Sequence, residues 1–159
     1  MLGNLEGKPA DRGGKSGMVD HAALKVNQSG IVLTSLVAFI GSALYRPLLL
    51  LIPLLAVVLL VGTIEPRLAL FKQIYFKALK PWGLIKPQVV ADEAAPHNFA
   101  QGMGGVVLAI ASAFLLVAPA VALALTLLVA VLAFVNLAFG YCVGCQIYYQ
   151  LGRMGVLKA

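Results

Sequence analysis

Four apolar stretches, none carrying a charge, dominate the chain: IVLTSLVAFIGSALY at 31–45, LLLLIPLLAVVLLVGTI at 48–64, a third over about 102–117 and a fourth over about 121–145. Their apolar residues run continuously instead of alternating with polar ones, which fits helices and excludes the strands of a membrane barrel. Only 11% of the 159 residues are charged and 61% are apolar, against roughly a quarter charged in a soluble domain. A mean hydropathy of +0.95 excludes an ordinary cytosolic enzyme, because a small domain must cover a large surface with polar groups. In lipid, helices close their own hydrogen bonds. The chain is therefore read as all-α, a polytopic membrane protein with four transmembrane helices in two hairpins. Arg46-Pro47 and Ala118-Pro119 mark the hairpin turns, and Pro53 is expected to kink the second span. A span needs about 20 residues, with a lower limit near 17. The first three stretches reach that only if flanks such as 27–30 and 65–70 extend the helices.

Positive charges set the orientation. Lys8, Arg12, Lys15 and Lys25 precede the first span. Arg67, Lys72, Lys77, Lys80 and Lys86 lie between the second and third, and Arg153 and Lys158 follow the fourth. The opposite side has Arg46 alone. Both termini and the central loop are expected in the cytoplasm, with the lipid bilayer as the main partner and the net charge of +6 serving topology and contact with anionic lipid. No nucleic-acid role is assigned to that charge. Residues 1–26 have no apolar core of the signal-peptide kind. Residues 1–18 are expected to be a disordered tail, 19–153 the membrane domain and 154–159 a second tail. GGKS at 13–16 lacks the glycine five positions before Gly14 that a phosphate loop needs, since Pro9 stands there.

An internal repeat is expected. Gln73-Ile74-Tyr75-Phe76 returns as Gln146-Ile147-Tyr148-Tyr149, and Gln28 falls on Gln101 at the same offset of 73. With a small shift, IVLTSLVAF at 31–39 aligns with VVLAIASAF at 106–114. This predicts two parallel two-helix units, about 27–80 and 100–153, related by an axis along the membrane normal. Residues 66–80 carry Leu68, Phe71, Tyr75 and Leu79 on one helical face, which suits a helix lying along the headgroups, the alternative being a solvated extension of the second span.

Both cysteines of the chain fall in Tyr141-Cys142-Val143-Gly144-Cys145. Cys142 and Cys145 have the CxxC spacing of a pair that cycles between dithiol and disulfide or holds half of a metal site. Haem attachment is excluded, because Gln146 stands where histidine is required. On a continuous fourth helix the pair would sit at its cytoplasmic C-terminal end, where the dipole raises a thiol pKa. Cys145 would lie nearer water. His97 could then lower a thiol pKa or join Cys142 and Cys145 as a metal ligand. Asn27, Gln28, Asn98 and Gln101 are expected at the same level, capping helices and bonding across them. Gly140 and Gly144 read as a GxxxG packing step with Asn136 one turn before. The alternative for the cysteines is packing of two small thiols at a helix interface. No cofactor is evident. No carboxylate lies inside a span, so proton-coupled pumping through a buried acid has no group to use.

The set Val19-Asp20, Asn27-Gln28, Pro96-His97, Phe99-Ala100-Gln101-Gly102 and Tyr141-Cys142-Val143-Gly144-Cys145 with Tyr148 resembles a bacterial integral-membrane family catalogued as a domain of unknown function. The resemblance covers roughly 19–153 and leaves the first eighteen or so residues outside. It implies four helices, a bacterial inner-membrane location and association with thioredoxin-like proteins and rhodanese-type sulfurtransferases; it transfers no catalytic role. The expected function is thiol-disulfide or sulfane-sulfur exchange with such a soluble partner through Cys142 and Cys145. A small transporter or channel subunit for a thiophilic solute or metal is the alternative, and a structural membrane subunit the third.

Overall fold

The computed structural model describes residues 17–157. The expected disordered tail falls outside the described residues up to 16, but Gly17 and Met18 belong to a strand. Strand β1 (Gly17–Asp20) pairs antiparallel with β2 (Val89–Asp92), Gly17 opposite Asp92 and Asp20 opposite Val89. This ribbon was not legible in the apolar pattern. The helices are α1 (His21–Gly41), α2 (Leu51–Ile64), α3 (Leu70–Ile74, continued as a π-helical turn Tyr75–Leu79), α4 (Ala94–Phe114), α5 (Pro119–Phe139) and α6 (Val143–Arg153). The architecture is predominantly helical. An order of strand followed by three helices occurs twice.

Local chemistry explains the boundaries. Asp20 caps α1, its Oδ1 accepting the Ala22 amide at 3.0 Å. Helix α1 starts ten residues before the apolar stretch, so Asn27 and Gln28 lie inside it. Short 3-10 segments, Arg46–Leu50 and Pro66–Leu68, bracket α2, each opened by a proline at its start. Glu65 ends α2, so residues 65–70 do not extend the second span. Pro53 falls in the first turn of α2, right after a 3-10 segment. The helix type changes from 3-10 to α between Leu50 and Leu51, two residues before it. Pro119 opens α5 at a position where a missing N–H costs nothing.

Among the described residues, three helices are long and apolar enough to cross a membrane: His21–Gly41, Arg46–Ile64 and Pro119–Phe139. Helix α4 has equal length, but its first turns hold Pro96, His97, Asn98 and Gln101. Helix α2 packs most extensively on α4, and α1 on α5. Their common core joins Ile31, Ile52, Leu59, Leu108, Val129 and Ala133. Outward, Leu44, Leu116 and Val117 are more than 80% exposed, an apolar exterior that suits lipid and not water.

The expected fourth span does not continue to residue 145. Gly140 adopts φ 67°, a left-handed conformation that favours glycine, and its amide closes α5 on the Asn136 carbonyl. The chain then turns and begins α6. Gly140 and Gly144 therefore do not share a helix face, and the GxxxG step does not exist. Gly144 packs elsewhere: a Cβ there would lie 2.5 Å from Ala100 Cβ and 2.7 Å from its Cα. That clearance lets α6 lie on the start of α4, where Phe99 and Tyr148 also meet, ring centres 5.4 Å apart.

Residues 66–80 are not one surface helix. Tyr75 is fully buried with Ala22 and Ala23, and Leu79 packs against them. Phe71 packs onto the main core, and Leu68 stays exposed. The stripe expected to face headgroups turns inward on α1.

Candidate functional site

The end of the bundle where α1 and α4 start and α5 stops carries the polar residues. There the break at Gly140 makes Cys142 the N-cap of α6, in extended conformation, with its Sγ accepting the Cys145 amide at 3.2 Å. The cysteine pair thus sits at a helix N-terminus, and the expectation of a helix C-terminus is overturned. The sign of the electrostatics reverses with it. Free N–H groups and the positive dipole end favour a thiolate and lower a thiol pKa. Cys142 and Cys145 form a disulfide, with Cα atoms 5.2 Å apart, inside the range such a bond requires.

The two sulfurs have different surroundings. Cys145 is 7% exposed, while Cys142 is half-buried. The expectation that Cys145 lies nearer water is therefore reversed: in a helix cap, the first residue is outside and the third lies against the neighbouring helix. Cys145 Sγ stands 3.6 Å from His97 Nδ1, on the first turns of α4. Nε2 of His97 lies 3.0 Å from Asp92 Oδ2, and His21 Nε2 reaches the same oxygen at 3.1 Å. A carboxylate only accepts, so each imidazole donates its Nε2–H to Asp92. His97 is left with the Nδ1 lone pair aimed at the sulfur. Burial pushes the Asp92 carboxyl up, but hydrogen bonds from His97, the Glu93 amide and His21, with the positive charge His97 can carry, hold it below the usual range. Asp92 is ionised at neutral pH, which keeps the tautomer fixed.

Two of the remaining sequence candidates, Asn27 and Gln101, form a neighbouring buried pair. Asn27 Nδ2 donates to Gln101 Oε1 at 3.2 Å, and Gln101 Nε2 donates to the Leu59 carbonyl at 3.2 Å. Asn27 and Gln101 are buried, so the three groups satisfy one another across α1, α2 and α4. Asn98 is elsewhere, accepting from Lys72 Nζ at 3.4 Å. Burial lowers the Lys72 pKa. Gln28 lines a cleft of about 110 Å³ shared with Gln101, Asn136 and Cys142. This cleft reaches Cys142 from between the helices.

Asp92 and His21 were not among the residues singled out from the sequence. The available signal was an aspartate just ahead of α1 and of α4: Asp20 caps α1, and Asp92 accepts the amide of Glu93, the residue before α4. The contact of Asp92 to His21 depends on the ribbon that places β2 beside β1, and no local pattern shows that.

Two arrays could hold a metal by their donor atoms. His97, Cys142 and Cys145 form one and His21, Asp92 and His97 the other, each with its ligand atoms within 4.8 Å of one another. Neither the curated proteins nor the solved structures contain a match to the chain. The model of a family described as Domain of unknown function (DUF4395) matches residues 19–153, nearly the whole chain, and the chain belongs to that family.

Proposed function

We propose that this protein exchanges thiols and disulfides with a soluble protein dithiol at one membrane face, through Cys142 and Cys145. The observation that carries the reading is the pair at the N-terminus of α6, one sulfur accessible and the other buried against His97. In one direction, a partner thiolate attacks Cys142 Sγ. The Cys142–Cys145 bond breaks, and Cys145 leaves with the electron pair and takes a proton beside His97 Nδ1. The partner's second thiolate then attacks its own sulfur in the mixed disulfide. Cys142 leaves as a thiolate, facing the first amides of α6. The partner dithiol ends as a disulfide and the Cys142–Cys145 pair as a dithiol, two electrons and two protons having moved. Reversal uses a partner disulfide. Attack on Cys142 is favoured by access, and Cys145 is the better shielded leaving group.

Trapping tests this. In cells producing the full chain, Cys145→Ser leaves Cys142 unable to resolve a mixed disulfide. A covalent adduct, released by dithiothreitol, is expected on non-reducing gels, and Cys142→Ser should give none. No adduct from Cys145→Ser, or capture by Cys145 alone, would overturn the reading.

The chain is further proposed to cross the membrane four times, α4 joining α1, α2 and α5 as a span, with both termini and the cysteine end in the cytoplasm of a bacterial cell. The distribution of lysine and arginine supports this orientation, Arg46 being the sole cation at the opposite turn. A membrane-impermeant maleimide should label reduced Cys142 only after spheroplasts are lysed. Labelling in intact spheroplasts would reverse the orientation.

A further inference from the structure

We infer that the dithiol state of this site is a three-coordinate protein site for a thiophilic d10 cation, with Cys142 Sγ, Cys145 Sγ and His97 Nδ1 as ligands. This deepens the exchange reading, since it gives a ligand to the reduced half of that cycle.

Three features point to it. First, the donor set is two thiolates with two residues between them, the spacing with which zinc sites chelate, plus an imidazole from another helix. Second, the distance fits. A tetrahedral ion with a metal–sulfur bond of about 2.3 Å and a metal–nitrogen bond of about 2.0–2.1 Å separates those donors by about 3.5–3.6 Å. Cys145 Sγ and His97 Nδ1 are 3.6 Å apart. Third, the imidazole is already prepared. Asp92 accepts from Nε2 at 3.0 Å, which directs the Nδ1 lone pair to the sulfur, and His21 holds Asp92 from the other side at 3.1 Å. A carboxylate behind a ligating histidine is the usual support of such sites. Histidine paired only for structure needs no free ring nitrogen aimed at a buried cysteine.

Balance is simple. A dithiol reductant first opens the Cys142–Cys145 disulfide. The two thiols then lose their protons to water as the divalent cation binds, giving a site of no net charge from two thiolates, a neutral imidazole and the metal. Three protein ligands leave a fourth position open. The cleft at Cys142 between Gln28, Gln101 and Asn136 is next to it and has room for a small ligand.

The test uses the detergent-solubilised full chain and zinc(II), titrated in competition with a chromophoric chelator. The reduced protein should bind one zinc per chain and the oxidised protein none. Cys142→Ser and Cys145→Ser should each lose binding. His97→Ala should bind at least tenfold more weakly, and Asp92→Asn, which removes only the support, about tenfold more weakly. Cobalt(II) gives a readout that misfolding cannot imitate: thiolate-to-cobalt charge-transfer absorption in the reduced wild type, altered in His97→Ala whose helical circular dichroism is unchanged. Absence of zinc binding by the reduced wild type, or wild-type affinity in folded His97→Ala, would overturn the inference. Zinc binding needs no partner protein, and the trapping experiment is run with excess chelator. Failure of one is thus distinguishable from failure of the other.

Discussion

Replacing Gly144 by valine is expected to push α6 off α4 and to slow thiol exchange by at least about tenfold. The space for the new side chain is taken by Ala100, whose Cβ and Cα would lie 2.5 and 2.7 Å from the first added carbon. The obstacle includes backbone of another helix, so no rotamer change relieves it. Overpacking of this kind costs about 1–3 kcal/mol, and relief by movement is the cheaper course. Movement of α6 carries both cysteines with it and opens the contact between Cys145 and His97. Misplacement of a reacting group by about 1 Å can cost on the order of 10²-fold in rate. The measurement is the rate at which a small dithiol reduces the purified oxidised protein, with Gly144→Ala as a milder step in the same direction. Wild-type stability and rate in Gly144→Val would show that α6 does not depend on this close approach.

The largest loss of stability is expected from Asp20→Ala, about 3 kcal/mol. Three donors converge on this carboxylate. The Ala22 amide caps α1 at 3.0 Å, the Gln88 amide ties the central loop at 3.0 Å, and the Tyr75 hydroxyl reaches Oδ2 at 3.0 Å. Loss of a cap costs about 1 kcal/mol, and hydrogen bonds to a charged group are worth about 1.5–3 kcal/mol each. These losses overlap, so the sum is an upper bound. Removal would leave the hydroxyl of fully buried Tyr75 without its acceptor. Tyr75→Phe removes donor and hydroxyl together and should cost only about 1 kcal/mol. Thermal unfolding in detergent measures both. Alkali provides a second readout. Burial first, and then the neighbouring Asp20 carboxylate, push the Tyr75 pKa up to about 12. The unfolded chain therefore releases this proton above about pH 10 while the folded chain keeps it. The associated stability is complete below pH 10 and is lost as pH rises towards 12. Tyr75→Phe should lack that increment. Equal melting of Asp20→Ala and wild type would refute the anchoring role.

The polar residues of the site were legible as a list, less so as an arrangement. Cys142 and Cys145 stood out by spacing, and Asn27, Gln101 and His97 by their position at the edges of apolar runs. Asn27 and Gln101 do meet, because two polar side chains in apolar surroundings must pair with each other or with a backbone group. Asn98 is turned towards Lys72 instead. Helix phase decides this, and a one-residue step along a helix rotates a side chain by about 100°.

Apolar continuity by itself determined that the chain is predominantly helical, since burial of backbone in lipid allows few other forms. The proline turns at residues 47 and 119 were equally explicit. Only the tertiary structure decided the chemistry of the cysteine pair. A single glycine, Gly140 at φ 67°, ends α5 two residues before Cys142, and that break exchanges the end of one helix for the beginning of another. The electrostatic sign at the sulfurs depends on it. Likewise, Asp92 reaches His21 because β2 pairs with β1. Such a contact joins residues 71 positions apart, and the hydrophobic period that reveals helices holds no information at that separation.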